Sequence, residues 1–113
     1  MPESANSIHT GPSVIEVFVF MSEYGFRVEP GFAVARAGDR IEFRNVTRFR
    51  VALEFEPRLC DRVIPLSPGA TEGFAVPEEA QPGFYPYEAS VGIGMDQSLH
   101  AIGGSGPGVI IKP

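Results

Sequence analysis

The sequence has a single cysteine, Cys60, among its 113 residues, which excludes an internal disulfide and a four-cysteine zinc site. It also lacks a long apolar run, since none approaches the ~20 residues that a membrane-spanning helix needs. Basic side chains are outnumbered, nine against fourteen acidic ones, and the formal net charge is −5. A general nucleic-acid binder carries the opposite sign, so this class is set aside.

Helical periodicity and internal repeats are missing as well. Glycine and proline are plentiful by contrast, with 13 and 11 residues spread between short apolar runs. This distribution predicts an all-β protein with many turns and short strands. A hydrophobic share of 43% and a charged share of 20% are ordinary for a folded protein, and the length predicts one domain with one core.

The first residues are polar and differ from the rest of the chain. Residues 1–12 are predicted to form a flexible N-terminal arm that contains a solvated His9, and residues 13–113 are predicted to form the domain. The arm carries no apolar export segment. The localisation is therefore cytoplasmic if the chain is complete, or periplasmic or exported if a leader has been removed, and the sequence does not distinguish the two.

Period-two alternation is the main secondary-structure signal. Residues 40–45 and 51–55 alternate apolar and polar side chains, which is typical of half-exposed strands. Residues 14–20 are rich in β-branched and aromatic residues and predict a buried strand. Further strands are predicted at residues 32–36, 71–76, 83–89 and 109–111, whereas residues 57–65 are predicted to be irregular. About seven or eight strands at this spacing are typical of a β-sandwich.

Several short motifs follow one another in a specific order: Phe26-x-x-x-Pro30, Ala37-Gly38-Asp39-Arg40-Ile41-Glu42-Phe43-x-Asn45, Ser67-Pro68-Gly69, Gly83-x-Tyr85-x-Tyr87, and a loop with Gly94-Met95. Their order and spacing resemble those of the cupredoxin family, from about Val14 to Ile111. The resemblance implies an all-β, cupredoxin-like Greek-key β-sandwich. It also implies a metal-binding end, where the family holds copper with two histidines, one cysteine and usually a weak axial methionine.

Most of these ligands are missing from the matching positions. The first histidine is expected within residues 45–51, where there is none. The cysteine falls at Ala89 and the second histidine at about Gly92, so that only Met95 stands near its expected place. Alanine has no lone pair to offer, and these positions therefore cannot build a type 1 copper site. The resemblance predicts a cupredoxin-like domain without that centre and without a cofactor.

A rearranged copper site in the 89–107 loop is the alternative. His100 and Met95, with Cys60 or Glu88 from neighbouring loops, would form a set that suits copper(I). A metal site usually needs three or four convergent ligands. The competing interpretation is that Met95 packs under the loop and that His100 is an ordinary loop residue.

Arg48 and Arg50 occupy the place of the first copper histidine, and Glu88 lies beside the lost cysteine. One hypothesis is that a guanidinium replaces the metal's charge and pairs with Glu88, so that Arg50→Ala would destabilise the protein more than Arg27→Ala. A second is that both arginines are solvated. A third is that they present a basic patch to an acidic partner, with Phe49 between them as an apolar contact.

No catalytic constellation is present in the sequence, and Cys60 is interpreted as a structural or incidental thiol. The function predicted first is a non-catalytic binding module with an unknown protein partner, using Arg48, Phe49, Arg50, Glu88 and Met95. The alternative is a copper-binding or electron-transfer protein. Between Arg27 and Arg62 eight arginines face six acids, which predicts one basic end loop. An exposed sandwich edge also makes a homodimer conceivable.

Overall fold

The structure is a computed structural model that describes residues 11–23, 25–92, 98–100 and 107–113, without the side chains of residues 92 and 98–100. Within these ranges the elements are ten strands: β1 (Val14–Ser22), β2 (Gly25–Glu29), β3 (Phe32–Arg36), β4 (Arg40–Asn45), β5 (Val51–Phe55), β6 (Ile64–Leu66), β7 (Thr71–Ala75), β8 (Gly83–Gly92), β9 (Ser98–His100) and β10 (Gly108–Lys112). No helix able to cross a bilayer occurs in this part of the chain. Most of the predicted arm, and Met95, lie outside the described residues.

The strands form two sheets. One has the order β2-β1-β4-β7, and the other has the order β3-β10-β8-β5-β6 with β9 paired to β8. β1 is parallel to β4 and β10 is parallel to β3, while the remaining pairs are antiparallel. Each sheet thus joins strands that are distant in sequence. The predicted all-β sandwich is confirmed.

The strand count differs from the prediction because two strands are only three residues long. β6 lies at the end of the stretch predicted to be irregular, and β9 lies in the loop after β8. β6 buries Ile64 and Leu66 and exposes Pro65 between them. Proline is tolerated there because β6 is the edge strand of its sheet. The strand was not predicted because it is only three residues long and has a proline at its centre.

An aromatic cluster occupies the core between the sheets. Phe43 from β4, Phe55 from β5 and Tyr87 from β8 lie with ring centroids 5.0 to 5.5 Å apart, and Phe74 lies 4.9 Å from Phe55. All four side chains are less than 10% exposed. Tilted and edge-to-face contacts at these distances stabilise the core beyond the area that they bury.

The two tyrosines of β8 differ in how their hydroxyls are satisfied. The Tyr85 hydroxyl donates to the Gln81 carbonyl at 2.6 Å. The Tyr87 hydroxyl is buried in the aromatic cluster and has no hydrogen-bond partner among the described residues. We therefore expect Tyr85→Phe to lower the free energy of unfolding by about 1 kcal/mol, and Tyr87→Phe to leave it unchanged or raise it. Urea denaturation of both variants measures this, and an equal loss in the two would contradict it.

The same pair predicts a difference at alkaline pH. Burial raises the pKa of the Tyr87 phenol above its ordinary value of 10.0. Above that pH the unfolded chain loses a proton that the folded chain keeps, so stability falls as pH rises, by up to about 1.4 kcal/mol per unit. Tyr87→Phe removes this contribution, and denaturation between neutral and alkaline pH should show a shallower decline for it than for Tyr85→Phe.

Candidate functional site

The β4–β5 loop, residues 46–50, lies at one end of the sandwich. Its first anchor is Asn45, whose backbone N–H donates to the Ala70 carbonyl at 3.0 Å and whose carbonyl accepts from the Gly69 N–H at 2.8 Å. The next residue, Val46, donates its N–H to the Val19 carbonyl of β1 at 2.9 Å. The loop is therefore held against both its own sheet and the β6–β7 turn.

The Asn45 side chain fastens the loop from inside. It is 0% exposed. Its amide nitrogen donates to the carbonyls of Phe49 at 2.7 Å and Leu66 at 3.0 Å, and its oxygen accepts from the N–H of Thr47 at 2.9 Å and from the Thr47 hydroxyl at 2.7 Å. Both donors and both acceptor positions of the amide are used. Buried polar networks that are fully satisfied in this way hold one conformation.

Thr47 extends the network, and the remaining loop side chains point away from it. The Thr47 hydroxyl accepts from the Phe49 N–H at 3.0 Å. Phe49 is half-buried and packs against the core, whereas Val46, Arg48 and Arg50 are exposed. The sequence reasoning missed Asn45 and Thr47 as the internal support of the loop. Asn-x-Thr directly after an alternating strand was the available signal, because both residue types form local side-chain to backbone hydrogen bonds.

An open groove of about 680 Å³ lies between this loop and the end of β1. Its lining residues are Phe20, Met21, Val46, Thr47, Arg48 and Phe49. Val46 is 54% exposed and Met21 is 38% exposed, which are high values for large apolar side chains. Arg48 and Arg50 form no ion pair with any described residue. The arrangement is an apolar floor beside free positive charge, which is typical of an interaction surface.

Glu88 and Arg50 are not placed opposite each other. Glu88 is exposed on β8 and lies opposite Glu54, while Val51, directly after Arg50, lies opposite Val91. Along the chain Arg50 precedes Glu54, the residue paired with Glu88, by four residues, which is a rise of about 13 Å in a strand. The pairing of Arg50 with Glu88 stays a prediction. Arg27→Ala is a poor control for Arg50→Ala, because the Arg27 side chain is half-buried and its Nε atom is shielded from solvent.

Cys60 lies away from the loop that was proposed to share a site with it. Its N–H donates to the Glu56 carbonyl at 3.0 Å, directly after the end of β5. Gly92 and Ser98, which flank the segment with Met95, pair with each other beyond the opposite end of β5. The length of β5, about 13 Å, therefore separates Cys60 from Gly92 and Ser98. The structure therefore does not bring Cys60 together with these two residues.

The positions implied for a type 1 copper site do not fit that metal. Ala89 is 1% exposed and lies opposite Leu53 in the ladder, so a methyl group stands in the core where the thiolate is expected. Asn45 uses every polar atom of its side chain inside the protein. No group of three histidine, cysteine, aspartate or glutamate side chains that could hold a metal occurs within residues 11–23, 25–91 and 107–113. His100 pairs with Ser90 through its backbone.

The arginines are not gathered in one end loop, as the charge distribution predicted. Arg48 and Arg50 lie in the β4–β5 loop, whereas Arg58 and Arg62 follow β5 at the other end of the sandwich. Arg58 is paired with Glu56 at 2.7 Å and lies over the Tyr85 ring. Arg62 donates to the Gly73 carbonyl at 3.3 Å. The prediction was wrong here because nearness in sequence was taken for nearness in space.

Two mixed sheets packed face to face, with connecting loops gathered at the ends, make this chain a cupredoxin-like sandwich. Its fold is similar to that of a novel purple cupredoxin from Nitrosopumilus maritimus, with a TM-score of 0.54 and 11% identity over 86% of this chain and 98% of that one. It is also similar to a copper-containing nitrite reductase from Thermus scotoductus SA-01, with a TM-score of 0.50 and 19% identity. The second match covers 92% of this chain but only 28% of the reductase.

These identities are low, and the likeness is one of fold. No protein-family model matches the sequence, and no curated protein matches it. The predicted resemblance to cupredoxins is confirmed for the fold.

Proposed function

We propose that this chain is a non-catalytic, cupredoxin-like interaction module that binds an acidic segment of a protein partner, one that also carries apolar side chains. The observation that carries the proposal is the groove at the β4–β5 loop, where exposed Val46 and Met21 lie beside Arg48, which has no ion-pair partner among the described residues. Apolar side chains of the segment would fill the groove, and its carboxylates would pair with Arg48 and Arg50.

The rigidity of the loop supports this role. Asn45 and Thr47 fix its backbone through hydrogen bonds that face inward, which leaves Val46, Arg48 and Arg50 presented to solvent. A preorganised surface loses little conformational entropy when it binds. The two arginines add selectivity, because exposed charge favours partners of the opposite sign and disfavours those of the same sign.

The residues at the implied copper positions support a role without that metal. Ala89 offers a methyl group, and the Asn45 amide is saturated by hydrogen bonds within the protein. The chain has instead a cationic loop where the family's first histidine would stand.

Binding of two short peptides tests the proposal. Both alternate leucine or phenylalanine with charged residues, aspartate or glutamate in one and lysine in the other. We expect the acidic peptide to bind and to shift the NMR amide signals of Met21 and residues 46–50. Val46→Asp and Arg48→Glu should each weaken binding about tenfold or more. Arg44→Glu, an exposed arginine on the outer face of β4, should not. Equal binding of both peptides, or an equal effect of Arg44→Glu, would refute the proposal.

A copper-binding or electron-transfer role is the second candidate, favoured by the copper proteins that share this fold. It would rest on Met95 and His100 in the connection between β8 and β10. Titration of the whole chain with copper(I) and copper(II), followed by calorimetry and absorbance, separates the two. Tight stoichiometric binding that His100→Ala abolishes would favour the copper role, while peptide binding without such a signal favours the interaction module.

A further inference from the structure

The outer face of the second sheet carries an apolar area far from the β4–β5 loop. Two adjacent rows of the ladder form it: Val34, Ile110 and Phe84 in one, and Phe32, Gly108 and Pro86 in the other. We call these six residues the β3–β8 patch. Phe32 and Phe84 are each 49% exposed and Val34 is 46% exposed. Contiguous exposure of this kind on three neighbouring strands is typical of a protein contact rather than of a solvated sheet face.

The patch is flat because of Gly108. A Cβ atom on Gly108 would overlap the Phe84 ring, so this ring lies over the backbone of β10. There it meets Phe32 edge-to-face, with ring centroids 5.6 Å apart. The two rings thus cover the middle of the sheet, and a second flat surface can pack against them closely.

Charges of opposite sign flank the patch at its two ends. Arg36 and Lys112 lie opposite each other on β3 and β10, one row beyond Val34 and Ile110. Glu54 and Glu88 lie opposite each other on β5 and β8, one row beyond Pro86. All four side chains are exposed, and Arg36, Lys112 and Glu54 form no ion pair within the described ranges. Like charges directly opposite each other, as in the pair of Arg36 and Lys112, destabilise a sheet, and a partner of opposite charge relieves this.

We propose that the β3–β8 patch is the contact surface of a homodimer, in which a second copy of this chain packs face to face across a two-fold axis. The spacing between strands and the rise along them place the basic pair, Arg36 and Lys112, about 20 Å from the acidic pair, Glu54 and Glu88. The point midway between the two pairs falls inside the β3–β8 patch. A two-fold axis that passes through this midpoint, lies in the plane of the contact and is perpendicular to the line between the two pairs brings the basic pair of one copy onto the acidic pair of the other. The surface is thus complementary to itself, as a two-fold contact requires.

Pairing through the exposed edge of β3 is blocked at one end. β3 is an edge strand, but the N–H of Arg36 donates to the Asp39 carboxylate at 2.9 Å. The carbonyl of Arg36 accepts from the Asp39 N–H at 3.0 Å. The outward backbone groups of Arg36 are therefore occupied, which removes the last residue of β3 from any ladder that a second chain could form along this edge.

The contact is small for a protein interface. Four strands and the rows from Arg36 to Glu88 span about 500 Å² of sheet face, below the roughly 800 Å² per partner of a standard stable interface. We therefore expect a weak dimer in the micromolar range, further weakened by salt because two charged clusters flank it.

Sedimentation equilibrium from low micromolar to millimolar protein tests the proposal. The wild-type chain should show a mass that rises with concentration towards that of a dimer. Val34→Asp, and the double reversal Arg36→Glu with Lys112→Glu, should each keep it monomeric. Val14→Asp changes a valine of the other sheet that is 56% exposed, and should have no effect. Circular dichroism confirms that each variant is folded.

A compensating variant makes the test specific. Adding Glu54→Lys and Glu88→Lys to the double reversal inverts both ends of the patch, so complementarity across the axis returns and the dimer should reappear. A wild-type chain that stays monomeric throughout, or a dimer that survives Val34→Asp, would overturn the proposal. Because the groove lies elsewhere, binding of the acidic peptide should be the same in Val34→Asp, and the two proposals stand or fall separately.

Discussion

Replacing Asn45 with alanine should lower the free energy of unfolding by about 3–4 kcal/mol. The change removes four hydrogen bonds inside the sandwich. The Leu66 carbonyl and the Thr47 N–H lose the bonds that Asn45 gives them, while the Phe49 carbonyl keeps the Thr47 hydroxyl as a donor at 3.1 Å. Each buried polar group left unsatisfied costs about 1–3 kcal/mol, and only some of them can regain water by moving. Denaturant unfolding followed by tyrosine fluorescence or circular dichroism measures the loss.

Two threonines provide the matched control for this result. Thr47→Ala removes one member of the network and should cost about 1–2 kcal/mol, whereas Thr71→Ala, at an exposed position of β7, should cost little. If the inferred role of the β4–β5 loop is correct, Asn45→Ala should also weaken binding of the acidic peptide at temperatures where the protein is still folded. A loss of stability below about 1 kcal/mol in Asn45→Ala would show that the loop does not depend on this amide.

Gly73→Ala should destabilise the protein by about 3 kcal/mol or more, enough to prevent folding if the wild type is marginal. Gly73 lies in β7 opposite Glu42 of β4. An added Cβ would overlap the carbonyl oxygen of Ile41 and would lie 2.9 Å from the Cα of Glu42. Both are backbone atoms of a strand that is hydrogen-bonded on both sides, so neither can move without breaking the ladder.

Alanine substitutions of two other glycines serve as controls of graded severity for Gly73→Ala. Gly108→Ala meets only the half-exposed ring of Phe84, which can rotate away, so we expect a smaller loss of stability. Gly31→Ala meets nothing within 4 Å and should be close to neutral. Thermal unfolding of the three variants should follow this order. Similar melting temperatures for Gly73→Ala and Gly31→Ala would contradict the close approach of β7 to β4.

Local pattern was enough to predict most of the strands. Residues 40–45 and 51–55 alternate so regularly that their buried and exposed faces were predicted correctly. β6 escaped notice because three residues with a central proline carry no usable period. Part of the candidate site was equally local, since Arg48, Phe49 and Arg50 are consecutive. Met21 and Val46, which complete the groove, were missed because β1 reaches the β4–β5 loop only through sheet pairing.

The sequence by itself determined that this is an all-β sandwich, because period-two alternation and turn residues are local properties. The resemblance that the sequence carries implies in addition that Ala89 stands at the position of the family's copper cysteine. The tertiary structure decided which distant residues meet: Asn45 with Leu66, Gly73 with Ile41, and Phe32 with Phe84. It likewise placed Cys60 at the end of the sandwich opposite the β4–β5 loop. The reason is that alternation predicts only the face of the sheet on which a side chain lies. The neighbours of that side chain depend on strand order and register, which only the packed sheets specify.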